Sequence, residues 1–244
     1  MNIASLPKNL IAWTLATISI VLVESAKGQS GNYNGLEWEQ IGNAVEIYGY
    51  NGPGGAVNIP GSVPVGSSNL PVTSIGSNAF YYNTNLTSVN MANSVTNIGL
   101  CAFFGCCSLS NITLSSNLTF IQELTFYDCS NLTSLTIPAS VVTIGVEPFD
   151  NCVGLTDMVI PSNVTSIGDY AFDGCSGLTN IMIPNSVRNI GGYAFSSCSS
   201  LTNVTLPSGI TSLGDYLFID CYDLASVTIP IGVTNIGVPL RKNH

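Results

Sequence analysis

The sequence predicts a solenoid, with one chain wound into 23-residue coils of mostly short β-strands plus short helical turns, after an N-terminal signal peptide. Three columns of residues carry that prediction. Phenylalanine returns every 23 residues at Phe80, Phe103, Phe126, Phe149, Phe172, Phe195 and Phe218. Leucine keeps the same period at Leu86, Leu109, Leu132, Leu155, Leu178, Leu201 and Leu224. Cysteine joins it at Cys106, Cys129, Cys152, Cys175, Cys198 and Cys221. A unit this short cannot bury its apolar side alone, so identical units at a fixed period must stack on one another.

Composition agrees and narrows the function. Of 244 residues only 8% are charged, against roughly 25% in an average soluble protein, while 45% are hydrophobic. A short coil needs that mixture: apolar residues inside, Gly and Asn at corners, small polar groups outside. Disorder would pair low hydrophobicity with high charge. Five Lys plus Arg face fourteen Asp plus Glu, for a net charge of −9. Such a surface cannot neutralise phosphates, which excludes nucleic acid as a partner. An anionic membrane surface is excluded on the same ground.

The elements follow in chain order. Residues 1–28 read as a signal peptide: Lys8, an apolar run from Leu10 to Val23, then small residues at Ala26 and Gly28. That run has 14 residues, short of the roughly 20 that span a bilayer, so the mature chain is expected to be secreted or on the cell surface. Residues 29–71 form an N-terminal capping segment carrying Trp38, since the end of a repeat stack must differ from its interior. Residues 72–232 hold seven 23-residue repeats, and 233–244 an incomplete eighth in which Arg241 occupies the Phe column.

Each repeat carries two extended stretches. In the unit beginning at Val164 the first is Val164-Thr-Ser-Ile167, closed by Gly168. Glycine recurs there at 76, 99, 145, 191, 214 and 237, with Gln122 the exception, and is expected to make a tight bend with positive φ. Asp169-Tyr-Ala-Phe172 is expected to form one turn of 3₁₀ or α-helix that drops the Phe inward. The second stretch, Leu178-Thr-Asn-Ile181-Met-Ile183, has the L-x-x-L-x-L spacing of a leucine-rich repeat. Proline after it (Pro138, Pro161, Pro184, Pro207, Pro230) fits a strand end.

Units such as IPSNVTSIGDYAFDGCSGLTNIMIPNSVRNIGGYAFSSC (160–198) resemble the BspA-type, or Treponema-type, leucine-rich repeats of bacterial surface proteins. The I-P-x-S-V-T-x-I-G-x-x-A-F-x-x-C frame covers 59–237, and Ile59-Pro60 already matches the later Ile-Pro pairs. The resemblance implies an exported surface protein whose roles would be adhesion and binding to proteins or cells.

No residue set announces chemistry. The only histidine is His244, so no base is in sight, and Glu123 and Glu147 sit at variable repeat positions. An enzyme is not expected, and neither is a cofactor. Cys101, Cys106 and Cys107 lack a fourth ligand for a metal. Asp150, Asp169, Asp173 and Asp215 are expected to form a solvated acidic face rather than a calcium site. The six column cysteines point the same way on successive coils. Rung spacing of about 4.8 Å permits disulfides by distance, but parallel side chains oppose the required dihedral. Buried free thiols are favoured, with Cys101 and Cys107 exposed.

The outward residues of the L-x-x-I-x-I stretch make the expected binding face. One column reads Ser88, Asn111, Ser134, Asp157, Asn180, Asn203, Ser226, and the next Asn90, Thr113, Thr136, Val159, Met182, Thr205, Thr228. Partner contact is assigned to Thr113, Thr136, Val159, Met182, Asn203, Thr205 and Thr228. The expected function is a non-enzymatic, adhesin-like scaffold for an extracellular protein or glycan. The alternatives are a structural envelope or matrix component, or an accessory region of an extracellular enzyme. End-to-end self-association through an uncapped C-terminal coil is a further expectation.

Overall fold

The structure, a computed structural model, describes residues 28–237. The expected signal peptide (apart from Gly28) and the position of Arg241 lie outside the described residues.

Three N-terminal strands, β1 (Ser30–Tyr33), β2 (Leu36–Ile41) and β3 (Ala44–Tyr50), pair antiparallel in sequence. They are followed by β4 (Gly55–Ile59), β5 (Ser62–Val65) and β6 (Ser68–Ile75). The chain then settles into coils that contribute short strands to two alternating parallel stacks. The L-x-x-I-x-I stretches give β7 (Leu86–Met91), β9 (Asn111–Thr113), β11 (Ser134–Leu135), β13 (Asp157–Val159), β15 (Asn180–Met182) and β17 (Asn203–Thr205). The V-T-x-I stretches give β8 (Asn97–Ile98), β10 (Phe120–Ile121), β12 (Thr143–Ile144), β14 (Ser166–Ile167), β16 (Asn189–Ile190), β18 (Ser212–Leu213) and β19 (Asn235–Ile236).

Register advances by one repeat at each step: Asp157 pairs with Asn180 and Asn180 with Asn203, while Ile167 pairs with Ile190. The first stack divides into β4–β7–β9–β11 and β13–β15–β17. The capping segment adds its own irregular first coil. β3 pairs parallel with β6, and β4 pairs parallel with β7, aligning Val57 with Val89 and Ile59 with Met91.

The turn side of the coil is not helical. Among the described residues no helix occurs, which corrects the expected helical turn. The reason is local. Tyr170 (φ 55°) and Gly174 (φ 69°) both take left-handed backbone angles, and so do their counterparts Glu147 and Asn151, or Tyr193 and Ser197. A right-handed turn cannot run through such residues. Alternate N–H groups of the turn bond from coil to coil: Phe172 N–H donates to the Ala194 carbonyl at 2.8 Å, and Phe126 N–H to Pro148 at 2.8 Å.

The recurrent glycine is also explained differently from expectation. Gly168 has no positive φ; it lies directly against the coil below, where a Cβ would sit 2.2 Å from the Gly145 carbonyl oxygen. The glycine column permits close stacking, and the left-handed angle falls two residues later.

The core is one continuous cluster. All seven column phenylalanines are fully buried, and their rings stack with centroids 4.9 to 5.7 Å apart. Tyr50 of β3 lies over Phe80 at 5.4 Å and ends the ring stack. Trp38 of the capping segment is buried in the same core. Pro138, Pro161 and Pro184 each accept a bond from the residue three positions on, closing the turn that leads to the next V-T-x-I strand. No helix among the described residues is long and apolar enough to cross a membrane.

Candidate functional site

All seven residues assigned to partner contact are exposed. Alternation places them: in β13, Met158 is buried while Asp157 and Val159 point out, and β15 and β17 repeat that pattern. Val159 pairs with Met182, Met182 with Thr205, and Thr205 bridges to Thr228, so these four form an unbroken row. Val159 and Met182 are 68% and 67% exposed, an apolar spot of two neighbouring side chains. Asn203 lies in the adjacent column, paired with Asn180.

Thr113 and Thr136 belong to the other part of the stack, before the interruption between β11 and β13. They line a shallow groove of about 370 Å³ with Asn111, Ser116, Ser134 and Pro138. Thr113 itself pairs with Asn90.

A third row on this face was not singled out from the sequence. The hydroxyls of Ser110, Thr133, Thr179 and Thr202 each donate to the backbone carbonyl of the residue one repeat earlier, at 3.1 to 3.3 Å. Their protons are thereby directed to the neighbouring coil, leaving the hydroxyl oxygens to accept, as Thr202 Oγ1 does from Asn203 Nδ2. The recurrent Thr after the column Leu was the available signal. Only Asp157 brings a charge to these strands, so the face carries one negative charge among uncharged polar groups.

The turn side differs in chemistry. Nine of the thirteen carboxylates in residues 28–237 lie between the glycine and leucine columns: Glu123, Asp128, Glu147, Asp150, Asp169, Asp173, Asp215, Asp220 and Asp223. The expected uniformly solvated acidic face is corrected in part. Asp169 and Asp215 are exposed, whereas Asp150 and Asp173 are buried at one repeat position. Among the described residues no group of three or more His, Cys, Asp or Glu is placed to hold a metal ion.

All eight cysteines are free thiols. The column is buried, and each member donates to the carbonyl of the preceding coil's phenylalanine, as Cys106 does to Phe80 and Cys198 to Phe172, both at 3.1 Å. Burial pushes the thiols of Cys129, Cys175 and Cys198 well above the ordinary value and that of Cys106 up to about 12. Cys101, expected at the surface, is instead fully buried beside Phe104 and Leu124. Cys107 is half-buried.

A model of the BspA type leucine-rich repeat region matches residues 65–178 and 142–240, in six copies. Among solved structures, the T. pallidum leucine-rich repeat protein is 29% identical with a TM-score of 0.59, and the match covers 86% of each chain. A leucine-rich repeat protein from Bacteroides ovatus is 27% identical with a TM-score of 0.65. That match covers 89% of this chain and 61% of the other, so the present chain spans less than two thirds of it. No curated protein sequence matches.

Proposed function

The chain belongs to the BspA-type leucine-rich-repeat family, and we propose that it is an exported, non-enzymatic scaffold that binds an extracellular protein or glycan through its L-x-x-I-x-I strand face. The observation that carries this reading is the row Val159–Met182–Thr205–Thr228, where two large apolar side chains stand side by side in the open. Solenoids offer extended surfaces of this kind to partners. The flanking hydroxyl row supplies acceptors without charge, a surface suited to amide and hydroxyl donors. Export, and a place at the cell surface, follow from the family resemblance and the N-terminal pattern of Lys8 and Leu10–Val23.

The test is binding of the purified protein to an array of extracellular-matrix proteins and glycans, beside Thr136→Glu, Met182→Glu and Thr205→Glu. Saturable binding abolished by these exposed substitutions, with unchanged melting, is the expected result. Binding that survives all three would remove the strand face from the function. A folded protein that binds nothing on the array would leave the structural role as the better account.

A further inference from the structure

The turn side carries a second feature that the strand-face reading does not use. Tyr170, Tyr193 and Tyr216 occupy one repeat position on three successive coils, and their rings stack at centroid distances of 4.7 Å. All three are half-exposed. They also hold left-handed backbone angles of 55°, 57° and 55°, which glycine or asparagine would adopt with less strain. Earlier coils show that the position does not require an aromatic: it holds Asn78, Cys101, Leu124 and Glu147. Three tyrosines in a row are therefore not dictated by local conformation.

Stacking closes both faces of the Tyr193 ring and one face each of Tyr170 and Tyr216, so the middle of the row offers its ring edge and phenol oxygen to a ligand. Exposed Asp169 and Asp215 immediately precede Tyr170 and Tyr216. Asp169 Oδ1 accepts a bond from Gly192 N–H at 2.8 Å, which holds that carboxylate against the next coil beside Tyr193. Burial, then Tyr216, Asp215 and Asp173, push the Tyr193 hydroxyl up, so the negative charges act on the middle of the row.

The sign of this side is uniform. Among the described residues it carries nine carboxylates, two of them (Asp150 and Asp173) buried, and no Lys or Arg; Arg188, the only such residue within 28–237, sits in a V-x-N-I stretch and donates to the Asn185 and Val187 carbonyls. A single-sign surface repels anions and gains little from neutral sugars. A compact metal ion is also a poor fit, since no three-ligand group is assembled among the described residues. A cation spread over several residues of an extended chain matches a row repeating every coil.

We propose that this edge, centred on Tyr193 between Asp169 and Asp215, is a second interaction surface that takes an arginine- or lysine-rich segment of a protein partner. Guanidinium or ammonium donors bond the carboxylates, the phenol oxygens accept between them, and aliphatic stems lie along the ring edges. The site is separate from the strand face, and neither depends on the other.

The probe is a fluorescein-labelled deca-arginine peptide titrated against the full chain at low and physiological salt. Asp169→Asn/Asp215→Asn should weaken binding by roughly three- to tenfold, the range of one or two exposed charge pairs. Tyr193→Phe/Tyr216→Phe keeps the stack and the charge, and should still weaken it by about threefold through lost hydrogen bonds. Glu37→Gln/Glu39→Gln removes as many charges elsewhere and should change affinity by less than about twofold. An equal loss in that control pair would reduce the effect to net charge and overturn the proposal. So would wild-type affinity in the tyrosine pair, or no binding of the peptide by the native protein.

Discussion

The thiol of Cys175 donates a hydrogen bond of 3.1 Å to the carbonyl oxygen of Phe149, 26 residues earlier in the chain. Cys129 and Phe103, or Cys221 and Phe195, stand in the same relation. Two of the three columns that define the repeat are thus one device. The Phe backbone presents a carbonyl to the next coil, and the cysteine there is small and apolar enough for the core yet still carries a donor.

The column thiols should accordingly be inert in the native state. A thiol-reactive dye should label Cys107 promptly, with the six column cysteines reacting only after denaturation. Immediate reaction of three or more thiols in the folded protein would contradict the burial of the column.

Alkaline pH should destabilise the fold. Burial raises the thiols of Cys101 and Cys106 from an ordinary value near 9 to about 12 and drives Cys129, Cys175 and Cys198 well above it. The folded state keeps these protons while the unfolded chain loses them, so the sign is fixed: stability is full below pH 9 and falls as pH climbs toward the folded values. Thermal melts from pH 7 to 11 should show a decline that begins near pH 9. Column Cys→Ala substitutions should flatten that decline even where they lower the melting temperature at pH 7.

Phe172→Ala should cost about 3–5 kcal/mol, the usual range for emptying a buried aromatic site. Phe172 contacts rings on both sides, at 5.3 Å from Phe149 and 5.4 Å from Phe195, so the loss interrupts the stack midway. Chemical denaturation with an unshifted midpoint would show that this ring is not part of the core.

Gly168→Ala should destabilise more than Gly145→Ala. A Cβ at 168 would lie 2.2 Å from the Gly145 carbonyl oxygen, whereas one at 145 would meet the Ile121 carbonyl oxygen at 2.9 Å, above the coil where Gln122 replaces glycine. Both contacts involve backbone that can yield only by separating coils, and overpacking of this kind costs about 1–3 kcal/mol. Equal melting temperatures for the two variants would count against close stacking as the reason for the glycine.

Val159→Ser and Met182→Ser should each leave stability within about 0.5 kcal/mol, because side chains this exposed contribute little to folding. If the strand face is the binding surface, the same pair should lower partner affinity measurably. A large loss of stability would instead mark the pair as packing residues.

Much of the fold was legible because a repeat states its constraint many times over. The Phe, Leu and Cys columns each identify one inward direction per coil, and alternation around Ile181 marks Asn180 and Met182 as outward. The glycine column was legible as a position but not as a cause, since the contact that requires it comes from a residue 23 places away. Cys101 misled for a similar reason: it stands outside the cysteine column, yet Phe104 and Leu124 bury it in a satellite cluster on the turn side. Asp150 and Asp173 look like surface acids in one dimension and are buried in three.

By itself, then, the sequence determined the period, the stacked architecture, the inward columns and the exposed row from Thr113 to Thr228, because each follows from hydrophobic spacing repeated at 23 residues. Only the tertiary structure decided the course of the turn, the thiol-to-carbonyl bonds, the interruption between β11 and β13, and the stacked tyrosines at 170, 193 and 216. These depend on backbone angles and on distances between successive coils, and periodicity along a chain specifies neither.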